Sequence, residues 1–108
     1  MLALPANSPA HHILSDVFGY SAFREGQEEV IANILDGASV LTVMPTGSGK
    51  SLCFQIPALV RDGLSVVVSP LVALMEDQVA ALKLDGVAAE TINSSRTRET
   101  NVDTWRRV

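Results

Sequence analysis

Apolar residues follow two different spacings along the chain. At residues 12–18 and 23–35 they recur every three or four positions, which predicts two amphipathic helices. Residues 39–44 are short, β-branched and almost wholly apolar, as is typical of a strand buried on both faces of a parallel sheet. The segments 64–68 and 87–92 predict two further strands of the same kind.

Helical spacing returns after each predicted strand, at residues 52–60, at 71–82 and near 102–105. Ser69 and Pro70 are typical of a helix start, since serine caps helices and proline suits the first turn. Alternating strands and helices imply right-handed crossovers between parallel strands. The pattern therefore predicts an α/β fold, with a parallel sheet, flanking helices and additional helices before the first strand.

Composition limits the class of protein. With 108 residues, 47% of them apolar and 19% charged, the chain is expected to form one folded domain at most. One cysteine, Cys53, permits neither an internal disulfide nor a cysteine-based metal site, which favours a reducing cytoplasm. No apolar stretch approaches the ~20 residues of a membrane span. We expect Cys53 to be a small apolar core residue and Trp105 to pack the last helix; the alternative for Trp105 is an exposed aromatic that stacks on a base beside Arg106 and Arg107.

The segment 44–51, Met-Pro-Thr-Gly-Ser-Gly-Lys-Ser, lies between a predicted strand and a predicted helix and ends like a P-loop. Glycines in such a loop let successive N–H groups face one concavity, and the next helix N-terminus adds partial positive charge. A phosphate is the expected occupant. The predicted ATP-binding residues of this loop are Thr46, Gly47, Ser48, Gly49, Lys50 and Ser51.

Lys50 is predicted to reach the β- and γ-phosphates, as the catalytic residue of the loop, and the Ser51 hydroxyl to ligate Mg²⁺. The strict signature begins with glycine, whereas this chain has Met44 at that position. The alternative is an ordinary glycine-rich turn with an exposed lysine. That alternative gives no reason for two glycines and a cluster of unpaired N–H groups.

Two flanking segments narrow the choice among P-loop proteins. Residues 18–27 contain Tyr20, Arg24 and Gln27 ahead of the loop, and residues 69–78, Ser-Pro-Leu-Val-Ala-Leu-Met-Glu-Asp-Gln, follow the second predicted strand. Together with the phosphate loop, these segments resemble the RecQ family of superfamily 2 DNA helicases, in the same order along the chain. The resemblance implies a partial RecA-like P-loop lobe and an ATP-dependent 3′→5′ DNA helicase acting in recombination and repair.

The resemblance also implies roles for individual residues. Tyr20 would stack on adenine, Gln27 would hydrogen-bond the adenine edge, and Arg24 would help to hold the nucleotide. An aromatic ring plus a primary amide suits a purine. Contacts to single-stranded or duplex DNA would come from Ser69, Pro70, Gln78, Asn93 and Ser94. Taken singly, Tyr20 also fits a half-buried core aromatic and Gln27 a solvated helix residue. The alternative for residues 69–78 is an amphipathic helix, and for residues 93–95 a polar helix cap.

The chain lacks an Asp-Glu pair after an apolar strand, which the family uses to hold Mg²⁺ and position water. The predicted organisation is N-terminal helices with the adenine motif at 1–37, then the first part of a helicase ATP-binding domain at 38–108. A second motor lobe would be needed for activity, so we expect the 108 residues alone to bind nucleotide at most. Two alternatives are a stand-alone nucleotide-binding regulator and a non-functional remnant. The predicted location is the cytoplasm, at the bacterial nucleoid or its equivalent.

Overall fold

The computed structural model describes residues 4–5, 7–44 and 49–108. Contacts divide the chain into two compact units, Met1–Gly63 and Leu64–Val108. The helices of the described residues are α1 (Pro9–Asp16), α2 (Gln27–Leu35), α3 (Leu52–Val60), α4 (Val72–Leu84) and α5 (Arg98–Arg107).

The core of the first unit forms where α3 packs against both α1 and α2. Its buried centre consists of Ala10 and Leu14 from α1, Ile31 from α2 and Ile56 from α3. Partly buried apolar side chains surround this centre, among them Phe18, Phe23, Leu35, Leu52 and Val60. Cys53 is buried, which confirms its predicted packing role, and burial raises the pKa of its thiol.

Local sequence signals explain where these helices begin and end. The Ser8 side chain caps α1 by accepting a hydrogen bond from the His11 N–H at 3.2 Å, and Pro9 occupies the first turn. Gly26, in the left-handed region at φ 84°, precedes α2. The α3 helix continues past Pro57 to Val60, although proline cannot donate a hydrogen bond to the preceding turn.

In the second unit, polar contacts replace an apolar core. Its buried residues are Thr91 and Thr104. The sequence pattern also predicts Ser94 or Ser95 as the cap of the last helix, but α5 is capped by Thr97, whose hydroxyl accepts from the Thr100 N–H at 3.2 Å. The α4 helix begins at Val72 without a side-chain cap, so the predicted capping role of Ser69 is wrong.

The predicted α/β fold is wrong for the described residues, which contain five helices and no β-strand. Residues 64–68 run without strand pairing, and Leu41 and Val43 are more than 90% exposed. A strand exists only when neighbouring strands pair with its N–H and C=O groups, and a two-sided buried strand also needs cover on both faces. These residues have high β-propensity, but the described residues provide neither a strand that pairs with them nor cover on both faces.

The predicted organisation, with a boundary after residue 37, stays a prediction. In the structure the first compact unit ends at Gly63 and the second begins at Leu64. Of the helices in the described residues, the longest has 13 residues, and none has the length and apolarity that crossing a bilayer requires.

Candidate nucleotide-binding site

The predicted phosphate loop is described on its C-terminal side. Thr46, Gly47 and Ser48 lie outside the described residues. Gly49 has φ 78°, a conformation that side chains disfavour, and its carbonyl accepts from the Leu52 N–H at 3.3 Å. Lys50 is exposed, and Ser51 is the half-buried N-cap residue of α3. The loop therefore leads directly into a helix N-terminus, where an exposed lysine and a hydroxyl flank the partial positive charge.

Gln27 joins the predicted adenine motif to the phosphate loop. Its side chain is buried, with 1% exposed. The amide oxygen accepts from the Arg24 N–H at 2.7 Å, and the amide Nε2 donates to the Gly49 carbonyl at 3.0 Å. Residues 22 positions apart in sequence are thus held together by one amide group. The structure brings Arg24, Gln27 and Gly49 to one place.

Two glycines allow the adenine motif to pack closely against the phosphate loop and Met44. A Cβ placed on Gly49 would collide with Nε2 of Gln27, and one placed on Gly26 would lie 3.3 Å from Cε of Met44. Met44, which departs from the strict P-loop signature, therefore lies against the adenine motif. Sequence reasoning assigned Gly49 to the bend of the phosphate loop, gave Gly26 no role, and missed the part of both in close packing between the two motifs.

Tyr20 occupies the coil between α1 and α2, next to Gly19 at φ 75°. Its side chain is 51% exposed, and its backbone N–H donates to the Leu14 carbonyl at 3.0 Å. An aromatic side chain whose backbone is tied to α1 while half of its surface faces solvent suits stacking on a base.

The predicted DNA-contact residues belong to the second unit. The Ser69 hydroxyl accepts from the Leu71 N–H at 3.2 Å, Pro70 and Ser94 are exposed, and Gln78 is half-buried on α4. Asn93 is engaged internally, because its amide donates to Glu76 Oε1 at 2.9 Å. These placements leave the DNA assignments as predictions.

Glu76 is the centre of a network that the sequence did not reveal. Arg96 forms a two-point contact with it, Nε to Oε1 at 3.1 Å and Nη2 to Oε2 at 2.8 Å. Hydrogen bonds from Arg96 and Asn93 lower the Glu76 pKa to about 2. Asn101 on α5 closes the turn by donating to the Asn93 carbonyl at 3.0 Å. The network fastens the 93–96 turn to α4.

We predict that the carboxyl of Glu76 titrates near pH 2 in an NMR pH titration. Because this pKa lies below its ordinary value, the ion pair stabilises the unit above about pH 4.5 and is lost as the pH falls toward 2. Arg96→Ala should raise the midpoint toward the ordinary value. Arg107→Ala, which removes an arginine paired with Glu90 and Asp103, should leave it unchanged. A Glu76 titration midpoint that Arg96→Ala left unchanged would refute the contact between Glu76 and Arg96.

Comparison with known proteins decides the family. A sequence profile described as DEAD/DEAH box helicase matches residues 24–107. The chain belongs to the DEAD/DEAH box helicase family. The match begins at Arg24 and includes the phosphate loop, α3 and the second unit up to Arg107.

The individual relatives that this DEAD/DEAH box helicase chain matches are RecQ-type helicases. It is 58% identical over 87 residues to "ATP-dependent DNA helicase RecQ" of Haemophilus influenzae, covering 81% of the chain and 14% of that protein. It is 45% identical over 91 residues to the Bacillus subtilis RecQ, covering 83% and 15%. The rat "ATP-dependent DNA helicase Q1" is 43% identical over 95 residues, covering 88% and 15%. The predicted resemblance to RecQ helicases is confirmed, and the chain spans about one-seventh of the length of these relatives.

Proposed function

We propose that this chain is the N-terminal part of the ATP-binding motor region of a RecQ-like, ATP-dependent 3′→5′ DNA helicase. The observation that supports it most directly is the hydrogen bond between Gln27 and Gly49, which joins the adenine motif to the phosphate loop. Membership of the helicase family and the order of the three motifs point the same way. We also propose that this helicase acts in recombination and repair, at the bacterial nucleoid or its equivalent.

The described part of the loop fits a nucleotide phosphate. Gly49 leaves no side chain over the backbone, α3 begins at the loop, and the Lys50 side chain reaches solvent. Lys50 would hold the β- and γ-phosphates, and the backbone N–H groups of the loop, with Thr46, Gly47 and Ser48, would surround them. Ser51 would supply a hydroxyl ligand to Mg²⁺, which neutralises phosphate charge when bound.

The residues of the adenine motif would bind the nucleoside part of ATP. Tyr20, half exposed, would stack on adenine, and Arg24 would contact the nucleotide. Gln27, with 1% of its surface exposed, holds the loop to the motif in this structure. The two hydrogen bonds leave this amide one N–H and one lone pair, so a contact to the adenine edge would require only that the groups covering the side chain move aside.

Binding of a fluorescent ATP analogue tests the phosphate assignment. We expect Lys50→Ala to weaken binding at least tenfold, about 1.4 kcal/mol, because it removes the only cation placed at the helix start by the loop sequence. Lys83→Ala is the matched control, since Lys83 lies on α4 and pairs with Glu90 at 3.5 Å. Equal loss in both variants, or in neither, would contradict the assignment.

Base recognition is tested by competition with tripolyphosphate, which has the phosphates and lacks the base. The unmodified chain should prefer ATP, and Tyr20→Ala should reduce that preference several-fold because a stacking contact contributes about 1 kcal/mol. Lys50→Ala should weaken both ligands alike. A Tyr20→Ala variant that kept the full preference for ATP would contradict adenine stacking.

Turnover is a separate expectation. Hydrolysis requires a carboxylate to position water and an arginine to meet the developing charge, and the 108 residues offer no Asp-Glu pair for the first task. We expect little or no ATPase activity from this chain alone, with or without DNA. DNA-stimulated turnover that disappears in Lys50→Ala would overturn that expectation.

A further inference from the structure

A histidine of α1 contacts the adenine motif from outside it. The rings of His11 and Phe23 form an edge-to-face pair, with centroids 4.9 Å apart and an interplanar angle of 70°. This is a favourable arrangement of two aromatic rings. Phe23 lies in the coil between α1 and α2, three positions after Tyr20 and directly before Arg24. His11 therefore packs on the segment that carries the proposed nucleoside-binding residues.

The cap of α1 fixes the orientation of this imidazole. Nδ1 of His11 is hydrogen-bonded to the Ser8 hydroxyl at 2.7 Å, and the same hydroxyl accepts from the His11 backbone N–H at 3.2 Å. Ser8 is buried, with 6% exposed. A hydroxyl can donate to a neutral ring nitrogen or accept from a protonated one, so the contact is compatible with both forms of the ring. The imidazole is thus held between the Ser8 hydroxyl and the Phe23 ring.

The adenine motif is also fixed on both sides of Phe23. Towards its start, the Tyr20 N–H donates to the Leu14 carbonyl at 3.0 Å. Towards its end, the Arg24 N–H donates to the Gln27 amide oxygen at 2.7 Å. Phe23 is half-buried and packs against the core, whereas the two residues that precede it are exposed. The ring contact from α1 therefore holds the middle of the motif.

We infer that His11 is a positioning residue of the nucleotide site. By holding the Phe23 ring, it fixes the coil from which Tyr20 and Arg24 would contact the nucleoside, without touching the nucleotide itself. A coil ordered before binding loses less conformational freedom when the ligand arrives, and this improves affinity. The inference rests on the proposed function, to which it adds a residue outside the three motifs.

The ratio of affinities for ATP and tripolyphosphate separates positioning from stability. Partial unfolding lowers the apparent affinity for both ligands by the same factor, so it cancels from the ratio. Loss of the ring in His11→Ala should lower the preference for ATP about threefold and leave tripolyphosphate affinity, corrected for the folded fraction, unchanged. His12→Ala is the matched control, because His12 is the next residue of α1 and is exposed. It should change neither affinity.

Two further changes test the ring contact itself. His11→Phe retains an aromatic ring beside Phe23 and should recover most of the preference for ATP. Phe23→Leu retains an apolar side chain against the core but removes the second ring. In that background His11→Ala should have little further effect on the ratio. An equal loss from His11→Ala in both backgrounds would overturn the inference, because His11 would then act through a group other than Phe23.

Tyr20 offers a measurement without ligand, because it is the single tyrosine of the chain. Incorporation of fluorotyrosine gives one fluorine resonance, which reports on the surroundings of the Tyr20 ring. The resonance should shift in His11→Ala and stay in place in His12→Ala. A resonance that His11→Ala left in place would overturn the inference.

Failure of the inference and failure of the proposed function give different results. A preference for ATP that is present in the unmodified chain and survives His11→Ala would overturn the role of His11 alone. An equal loss of affinity for ATP and tripolyphosphate in His11→Ala would also overturn it, since His11 would then have a structural role only. An unmodified chain without any preference for ATP would overturn the adenine assignment, and the inference with it.

Discussion

Replacing Gly49 with alanine is expected to destabilise the first unit by about 2–5 kcal/mol. A non-glycine residue at φ 78° costs about 1–2 kcal/mol. The new Cβ would also collide with Nε2 of Gln27, a buried amide that cannot retreat into solvent. Moving that amide breaks its bonds to the Gly49 carbonyl and the Arg24 N–H, each contributing about 1 kcal/mol. The loss in free energy of unfolding is measured by urea denaturation, with amide exchange in α3 as the probe of the first unit.

Gly37→Ala is the matched control. Gly37 has φ 93°, and no described atom lies within 4 Å of a Cβ placed there, so this change should cost only the backbone term of about 1–2 kcal/mol. A double-mutant cycle isolates the contact. In a Gln27→Ala background the collision is gone, and Gly49→Ala should then cost no more than Gly37→Ala. An equal cost for Gly49→Ala with and without Gln27 would contradict the proposed packing of the two motifs.

The link between Gln27 and Gly49 also explains what sequence could and could not predict of the site. Glycine, lysine and serine at the end of the loop are recognisable because each has a local chemical reason to be there. The amide-to-carbonyl hydrogen bond spans 22 positions, and no local pattern encodes it. A glutamine at the first position of a helix is typical of a solvated residue, and its burial emerges only when α2 and α3 pack together.

The helices were predictable for the same local reason, and the sheet was not. A serine cap before α1 and an apolar spacing along α3 act within a few residues, so they determine helix positions almost independently of the rest. A strand depends on partners distant in sequence. Residues 39–44 and 64–68 have strand-like composition, but the described residues provide no ladder to hold them.

Surface chemistry was the least predictable part. Glu76 and Arg96 are 20 positions apart and belong to no periodic pattern, so their two-point contact was missed. Trp105, which is 63% exposed, was assigned to the interior because apolar residues at helical spacing usually face a core. In the second unit the buried residues are threonines, so α5 has no apolar layer on which the indole could pack.

A pair of identical substitutions tests the corrected fold most sharply. Leu14→Ala removes a side chain that is 1% exposed, in the buried centre of the core that the described residues form, and should destabilise the first unit by about 3–5 kcal/mol. Leu41→Ala removes the same atoms where the side chain is 94% exposed, and its effect should stay within about 0.5 kcal/mol. In a parallel sheet buried on both faces, Leu41 would be as costly to truncate as Leu14. Amide exchange in α1 and α3, measured for both variants, distinguishes the two folds: a loss of several kcal/mol from Leu41→Ala would restore the buried strand.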